Sequence, residues 1–176
     1  MGDLIKVEQG SQYRYFLYDS LSRLLRAKNP EQDANTNIAL TPPSDQSTGN
    51  TAWALKYVYD SNGNLTSKVD PRNVTTSYGY DAINRNVAVS YNDSVTPTIE
   101  RYYDTHPNAS QNGKGRLYYN VVYRYEGGNP AFLRTIVDQY DAVGRPQTQS
   151  FYSHSGGVWQ DYTSTMSYDL AGNPTG

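Results

Sequence analysis

Cysteine is absent from the 176 residues. That excludes disulfides, thiolate metal sites and a cysteine nucleophile, and it leaves the compartment open. Charge of one sign is also missing: 15 Lys and Arg face 17 Asp and Glu, a formal net charge of −2. No strong field is available to recruit nucleic acid or an anionic membrane surface. No apolar run approaches the length of a membrane span. The opening MGDLIKVEQG lacks the apolar core of a signal peptide. The end, YDLAGNPTG, stops just after a turn-like element, and both ends are expected to be cuts through a longer chain. Histidine is sparse, with only His106 and His154, both in predicted loops. There is no HExxH spacing and no GxSxG elbow. The GKG at 113–115 lacks the strand and helix context of a phosphate loop. No catalytic residue, metal site or cofactor is therefore expected. Aliphatic residues are few as well: Leu, Ile, Val and Phe make up 31 of the 176.

That shortage taken alone points to disorder. Disorder also calls for high net charge and few aromatics, and this chain has 18 tyrosines. Tyrosine favours strands and buries a large ring while its hydroxyl keeps a polar partner. The expectation is an ordered β protein with a thin aliphatic core.

The tyrosines are not scattered. Tyr-Asp occurs at Tyr18-Asp19, Tyr59-Asp60, Tyr80-Asp81, Tyr103-Asp104, Tyr140-Asp141 and Tyr168-Asp169, at intervals of 41, 21, 23, 37 and 28 residues. The shortest intervals suggest a unit of about 21 residues with insertions elsewhere. Four places after the Tyr stand Ser22, Gly63, Asn84, Gly144 and Gly172. One place further stand Arg23, Asn64, Arg85, Arg145 and Asn173.

A physical unit accounts for this pattern. The chain often alternates before each pair, as in Tyr57-Val58-Tyr59 and Tyr78-Gly79-Tyr80. Residues two apart lie on one face of a strand, so these tyrosines form a stripe. Aspartate then opens a turn, its carboxylate accepting from the backbone N–H two residues on. Asp first and Gly fourth fit a type I turn whose glycine supplies the positive φ of an adjoining bulge. Asparagine is the next-best residue there. Asp70-Pro71-Arg72-Asn73 reads as the turn into the next hairpin. Each repeat is thus a β-hairpin and the whole a meander.

The segments YDSNGNLTSKVDPRNVTTSYGYDAINR (59–85) and YDAVGRPQT (140–148) resemble the YD repeat of the RHS (rearrangement hotspot) family, with its YDxxGR pattern. The likeness runs from about Tyr15 onward. It is weakest at Tyr103, where an insertion precedes Gly115-Arg116-Leu117. The family includes bacterial polymorphic toxins, toxin-complex components and teneurins. Membership implies hairpins that wind into a hollow β-shell able to enclose a toxic domain, in a secreted or cell-surface bacterial setting. The C-terminal core segment with releasing aspartates, found in shell-forming members, is not present here.

The expected fold is all-β: an antiparallel meander of YD hairpins over residues 1–176, forming a curved strip like a section of shell wall, with ten to twelve strands. Such a strip has open edges that favour self-association. A polar insertion at 29–55, with its Pro42-Pro43 break, and a second at 105–115 are expected as exposed loops. YEGGNPAF (125–132) and HSGGVW (154–159) read as glycine-pair hairpin turns. Asp60-Ser61-Asn62-Gly63-Asn64 offers oxygen ligands for calcium but lacks the twelfth-position glutamate of an EF-hand. Repetition of the Tyr-Asp pair argues for structure, since a catalytic pair is needed once. The functional alternative is a glycan-binding platform built on Trp53, Trp159 and exposed tyrosines.

Overall fold

The computed structural model describes residues 2–29, 53–104, 112–126 and 129–175. Twelve strands and no helix occur among them: β1 (Lys6–Gln9), β2 (Gln12–Tyr18), β3 (Leu24–Lys28), β4 (Leu55–Tyr59), β5 (Leu65–Val69), β6 (Thr75–Tyr80), β7 (Asn86–Tyr91), β8 (Thr98–Tyr103), β9 (Leu117–Glu126), β10 (Asn129–Tyr140), β11 (Pro146–Ser155) and β12 (Val158–Thr165). Strand order is chain order, and neighbouring strands pair antiparallel. This is the expected all-β meander.

The chain divides into two compact units, Met1–Tyr78 and Gly79–Gly176. In the first unit β1 to β5 pair in sequence. The buried apolar side chains are Leu25, Ala27, Trp53 and Val69. Arg26, only 1% exposed, donates from Nη1 to the carbonyls of Leu25 (2.7 Å) and Tyr57 (3.2 Å). In the second unit β7 to β12 pair in sequence, and β9 to β11 run ten to twelve residues each. Val89, Val121, Ala131, Val137 and Tyr140 are buried there. Full burial of a valine side chain stabilises by about 1.5–3 kcal/mol, so so short a set needs help from elsewhere.

Register shifts fall at the repeat tyrosines: between Leu17 and Tyr18, Val58 and Tyr59, Tyr102 and Tyr103, and around Gln139 and Tyr140. They are the bulges that the type I turn with a left-handed fourth residue requires. The glycine pair Gly156-Gly157 links β11 to β12 with both φ positive (58° and 80°), a type I′ hairpin. At the other glycine pair Asn129 stands opposite Glu126, while residues 127–128 lie outside the described set. Most of the 29–55 insertion, with Pro42-Pro43, and residues 105–111, with His106, also lie outside it. His154 is not in a loop: it sits in β11, its ring stacked on Phe132 at 5.6 Å.

Candidate functional site

Tyr18, Tyr59, Tyr80, Tyr103 and Tyr140 each end a strand, Tyr168 sits in an isolated bridge to Pro174, and all the pairs but Tyr103-Asp104 start the same corner. At Asp141 the backbone N–H donates to Arg145 O (2.9 Å), and Gly144 N–H returns a bond to Asp141 O (3.1 Å). The carboxylate Oδ1 accepts from the N–H groups of Val143 (3.0 Å), Gly144 (2.8 Å) and Arg145 (2.8 Å). Oδ2 accepts from Arg145 Nε at 2.6 Å. Asp19 and Asp81 repeat the set with Arg23 and Arg85, each Nε at 2.7 Å. Asp60 and Asp169 repeat it with the side-chain amides of Asn64 and Asn173, both at 2.9 Å. The fourth-place residue has positive φ at Ser22 (58°), Gly63 (87°), Asn84 (64°), Gly144 (97°) and Gly172 (89°). A carboxylate that gathers backbone donors in this way is a turn cap.

The predicted turn at Asp70-Pro71-Arg72-Asn73 is the same corner at the other end of its hairpin. Val74 N–H and Arg72 N–H both reach Asp70 Oδ1 (3.0 and 2.9 Å), and Asn73 has φ 64°. The corner at Asp104 is the departure. Asp104 itself has φ 60°, Gly115 N–H donates to its Oδ1, and its N–H donates to Arg116 O at 3.1 Å. The insertion is spliced in, and the motif resumes at Gly115-Arg116-Leu117.

The fifth-place arginines Arg23, Arg85 and Arg145, and Arg116 after the insertion, also reach the next repeat. Arg23 lies over the ring of Tyr59 at 4.9 Å, Arg85 over Tyr103 at 4.3 Å, Arg116 over Tyr140 at 5.4 Å and Arg145 over Tyr168 at 4.4 Å. Each such tyrosine hydroxyl donates back to the carbonyl of the residue just after the arginine: Tyr59 to Leu24 (3.1 Å), Tyr103 to Asn86 (3.3 Å), Tyr140 to Leu117 (2.7 Å) and Tyr168 to Pro146 (2.7 Å). Four of the five junctions between successive Tyr-Asp repeats are therefore stitched through a cation–π contact and a hydrogen bond, the exception being the step after Tyr59, where Asn64 stands in place of arginine. Two further bonds reinforce the stitch. Arg23 Nη1 donates to Asp60 O at 3.2 Å, and Arg85 Nη2 bridges to Asp104 Oδ2 at 2.6 Å.

These contacts fix the ionisation of the corners. The Arg23 backbone N–H, followed by its side chain, holds Asp19 below the ordinary aspartate value. Arg85 does the same for Asp81 and Arg145 for Asp141. For Asp60 and Asp169 the leading cause is the side-chain amide of Asn64 or Asn173, and for Asp104 it is the Arg85 side chain. At Asp70 burial is the largest influence and opposes the shift; the Arg72 side chain and the backbone donors outweigh it. Burial raises Tyr59 and Tyr140 above the usual tyrosine range.

The repeat residues named from sequence thus come together as corners, and the sequence signal for the stitch was the Arg or Asn fixed five places after each tyrosine. Arg23 and Arg116, placed by the repeat pattern, prove to be stitch residues as well. The tryptophan platform does not form as expected. Trp53 is 4% exposed and belongs to the buried set of the first unit, whereas Trp159 is 60% exposed. Trp159 packs against Phe132 (5.2 Å) and His154 (4.7 Å). No group of three or more His, Cys, Asp or Glu able to hold a metal occurs among the described residues. The Asp60 carboxylate, offered as a calcium ligand, is engaged by its own turn. No helix there is long and apolar enough to cross a membrane.

Residues 59–96 match the RHS Repeat family, which contains the segment whose YDxxGR likeness is strongest. No curated protein matches the sequence. Among solved structures, the chain is similar to the Photorhabdus luminescens Tc holotoxin pore, with TM-score 0.49 and 13% identity, covering 93% of this chain and 9% of that one. It is also similar to the crystal structures of TcdB2-TccC3-Cdc42 and TcdB2-TccC3-TEV, each with TM-score 0.33 and 12% identity, covering 93% of this chain and 11% of theirs. The chain spans about a tenth of the length of these structures.

Proposed function

We propose that this chain, whose residues 59–96 are an RHS repeat, supplies wall to a larger β-shell that encloses or displays a toxin or effector. The observation that supports the reading is the stitch. Arg23–Tyr59, Arg85–Tyr103, Arg116–Tyr140 and Arg145–Tyr168 each join one hairpin to the next at the same place. A unit that carries its own lateral fastener can be added indefinitely, which suits a wall. The partners in this reading are neighbouring repeats of the parent protein, and the setting is outside a bacterial cell or on its surface. The wall works by exclusion: a continuous hydrogen-bonded sheet separates cargo from water and proteases until release. The reading gives this chain no covalent chemistry, because the corner carboxylates are committed to N–H and guanidinium partners.

The test is electron cryomicroscopy of the full parent protein together with limited proteolysis. The expected result is hairpins continuing into a closed wall around a protease-resistant interior. Hairpins ending as an isolated sheet, with all segments cut at similar rates, would refute the reading.

A further inference from the structure

Across β10, β11 and β12 the register places six side chains in a grid on one face. Leu133, Ser153 and Gln160 form one row, and Thr135, Phe151 and Tyr162 form the next. Side chains two apart on a strand share a face at about 6.5–7 Å, and neighbouring strands lie about 4.8 Å apart. These residues, together with Arg134, Tyr152 and Asp161, line a cavity of about 330 Å³, within the usual range for small-ligand sites. Phe151 and Tyr162 stack at 4.7 Å and supply an aromatic wall, and Tyr162 is 65% exposed. Leu133, 45% exposed, supplies an aliphatic one.

The polar groups of this grid contrast with those of the corners. At the corners nearly every side-chain donor and acceptor is engaged, and the hydroxyls of Tyr103, Tyr140 and Tyr168 each reach a carbonyl. Thr135, Ser153, Gln160 and Tyr162 make no side-chain hydrogen bond among the described residues. All six grid side chains are uncharged. An aromatic ring beside a set of free neutral donors and acceptors matches a ligand with an apolar C–H face and a rim of hydroxyls.

We propose that this face of β10–β12 is a binding site for a neutral pyranose, stacked on the exposed ring of Tyr162 and hydrogen-bonded by Gln160 and Ser153. The site is separate from the exposed Trp159. Trp159 lies one residue from Gln160 along β12, and so belongs to the opposite face. The proposal goes beyond the wall reading and does not need it: a wall segment with or without this site would still be stitched at its corners.

The experiment is isothermal titration of the 176-residue chain with cellotetraose and chitotetraose, with a heparin tetrasaccharide as the acidic arm. Binding of at least one neutral tetrasaccharide and not of heparin is expected. Tyr162→Ala should weaken it about tenfold or more. Gln160→Ala should weaken it severalfold. Trp159→Ala, on the other face, should change it less than about twofold. All three positions are exposed on the outermost strand, and circular dichroism checks that each variant keeps its sheet. Tyr162→Phe keeps the stack while removing the hydroxyl, and should fall between wild type and Tyr162→Ala. The proposal is overturned by no neutral binding, by binding of heparin alone, or by losses at Trp159→Ala equal to those at Tyr162→Ala.

Discussion

Gly144 and Gly115 occupy left-handed positions in the same unit, with φ 97° and 80°, but their surroundings differ. A Cβ added to Gly115 would meet nothing within 4 Å. A Cβ on Gly144 would stand 2.4 Å from Arg116 Nη2, 2.6 Å from Nε and 2.7 Å from Cζ. Gly115→Ala therefore costs only the backbone strain of an L-residue at positive φ, about 1–2 kcal/mol. Gly144→Ala carries that strain and also drives the guanidinium off the Tyr140 ring. The lost cation–π contact adds about 0.5–1 kcal/mol, giving a total of about 1.5–3 kcal/mol. The assay is urea unfolding of both variants, alone and in an Arg116→Met background, with stability taken from midpoint and slope. With Arg116 gone, Gly144→Ala should cost no more than Gly115→Ala, a coupling that a double-mutant cycle reads directly. Equal costs for the two glycines in the wild-type background, or an excess at Gly144 that survives Arg116→Met, would refute the stitch as a source of stability.

Tyr140→Phe removes the donor to Leu117 O and leaves that carbonyl short of a partner inside a tyrosine site 7% exposed; the expected loss is about 1–2 kcal/mol by urea unfolding, and a change under about 0.3 kcal/mol would count against the bond. Gly63→Val places a β-branched residue at φ 87° and should destabilise its turn by well over about 1 kcal/mol; a neutral result would contradict the turn geometry. Stability should be level from neutral pH down to about pH 5 and then fall. The corner aspartates have folded values below the ordinary 3.8, so the stability they give is fully present above 3.8 and is lost as pH drops through the lower folded values. Tyr59 and Tyr140 are raised above 10.0, so the protonated form is favoured in the folded state and stability should decline as pH climbs past 10. Thermal melts between pH 2 and 11 check both limbs, and a maximum below pH 4 would reverse the sign and defeat the argument.

The hairpins were legible because the corner is local. Asp60 reaches Asn62, Gly63 and Asn64 within five residues, so spacing alone discloses the turn, its bulge and its positive φ. The stitch was half-legible: the Arg or Asn in fifth place is plain in the sequence, but its target lies a full repeat away, 36 residues on for Arg23 and Tyr59. Only pairing shows that the guanidinium lands on that ring. Trp53 misled for a related reason. A tryptophan flanked by a polar insertion looks exposed, and nothing local discloses that it joins the buried set. The grid at Tyr162 could not be read at all, since it depends on the register among three strands. A one-residue slip of β12 would put Trp159 and Asp161 on that face instead.

The stitch also explains how a chain with so few aliphatic residues stays folded in strands. In an ordinary domain a sheet is held by a second layer packed on its apolar face. Here, among the described residues of each unit, the substantial contacts run between consecutive strands, and buried aliphatic side chains are few. What recurs instead is a fastener at the strand ends. It combines a caged carboxylate, a guanidinium shared between that carboxylate and the next ring, and a hydroxyl returned to the backbone. Each part depends on the one before it: without the aspartate the arginine is not aimed, and without the arginine the tyrosine loses its ring contact. The tyrosine-rich, aliphatic-poor composition follows from that design. A ring with a polar tip serves both the cation and the carbonyl, and leucine or valine in its place could serve neither.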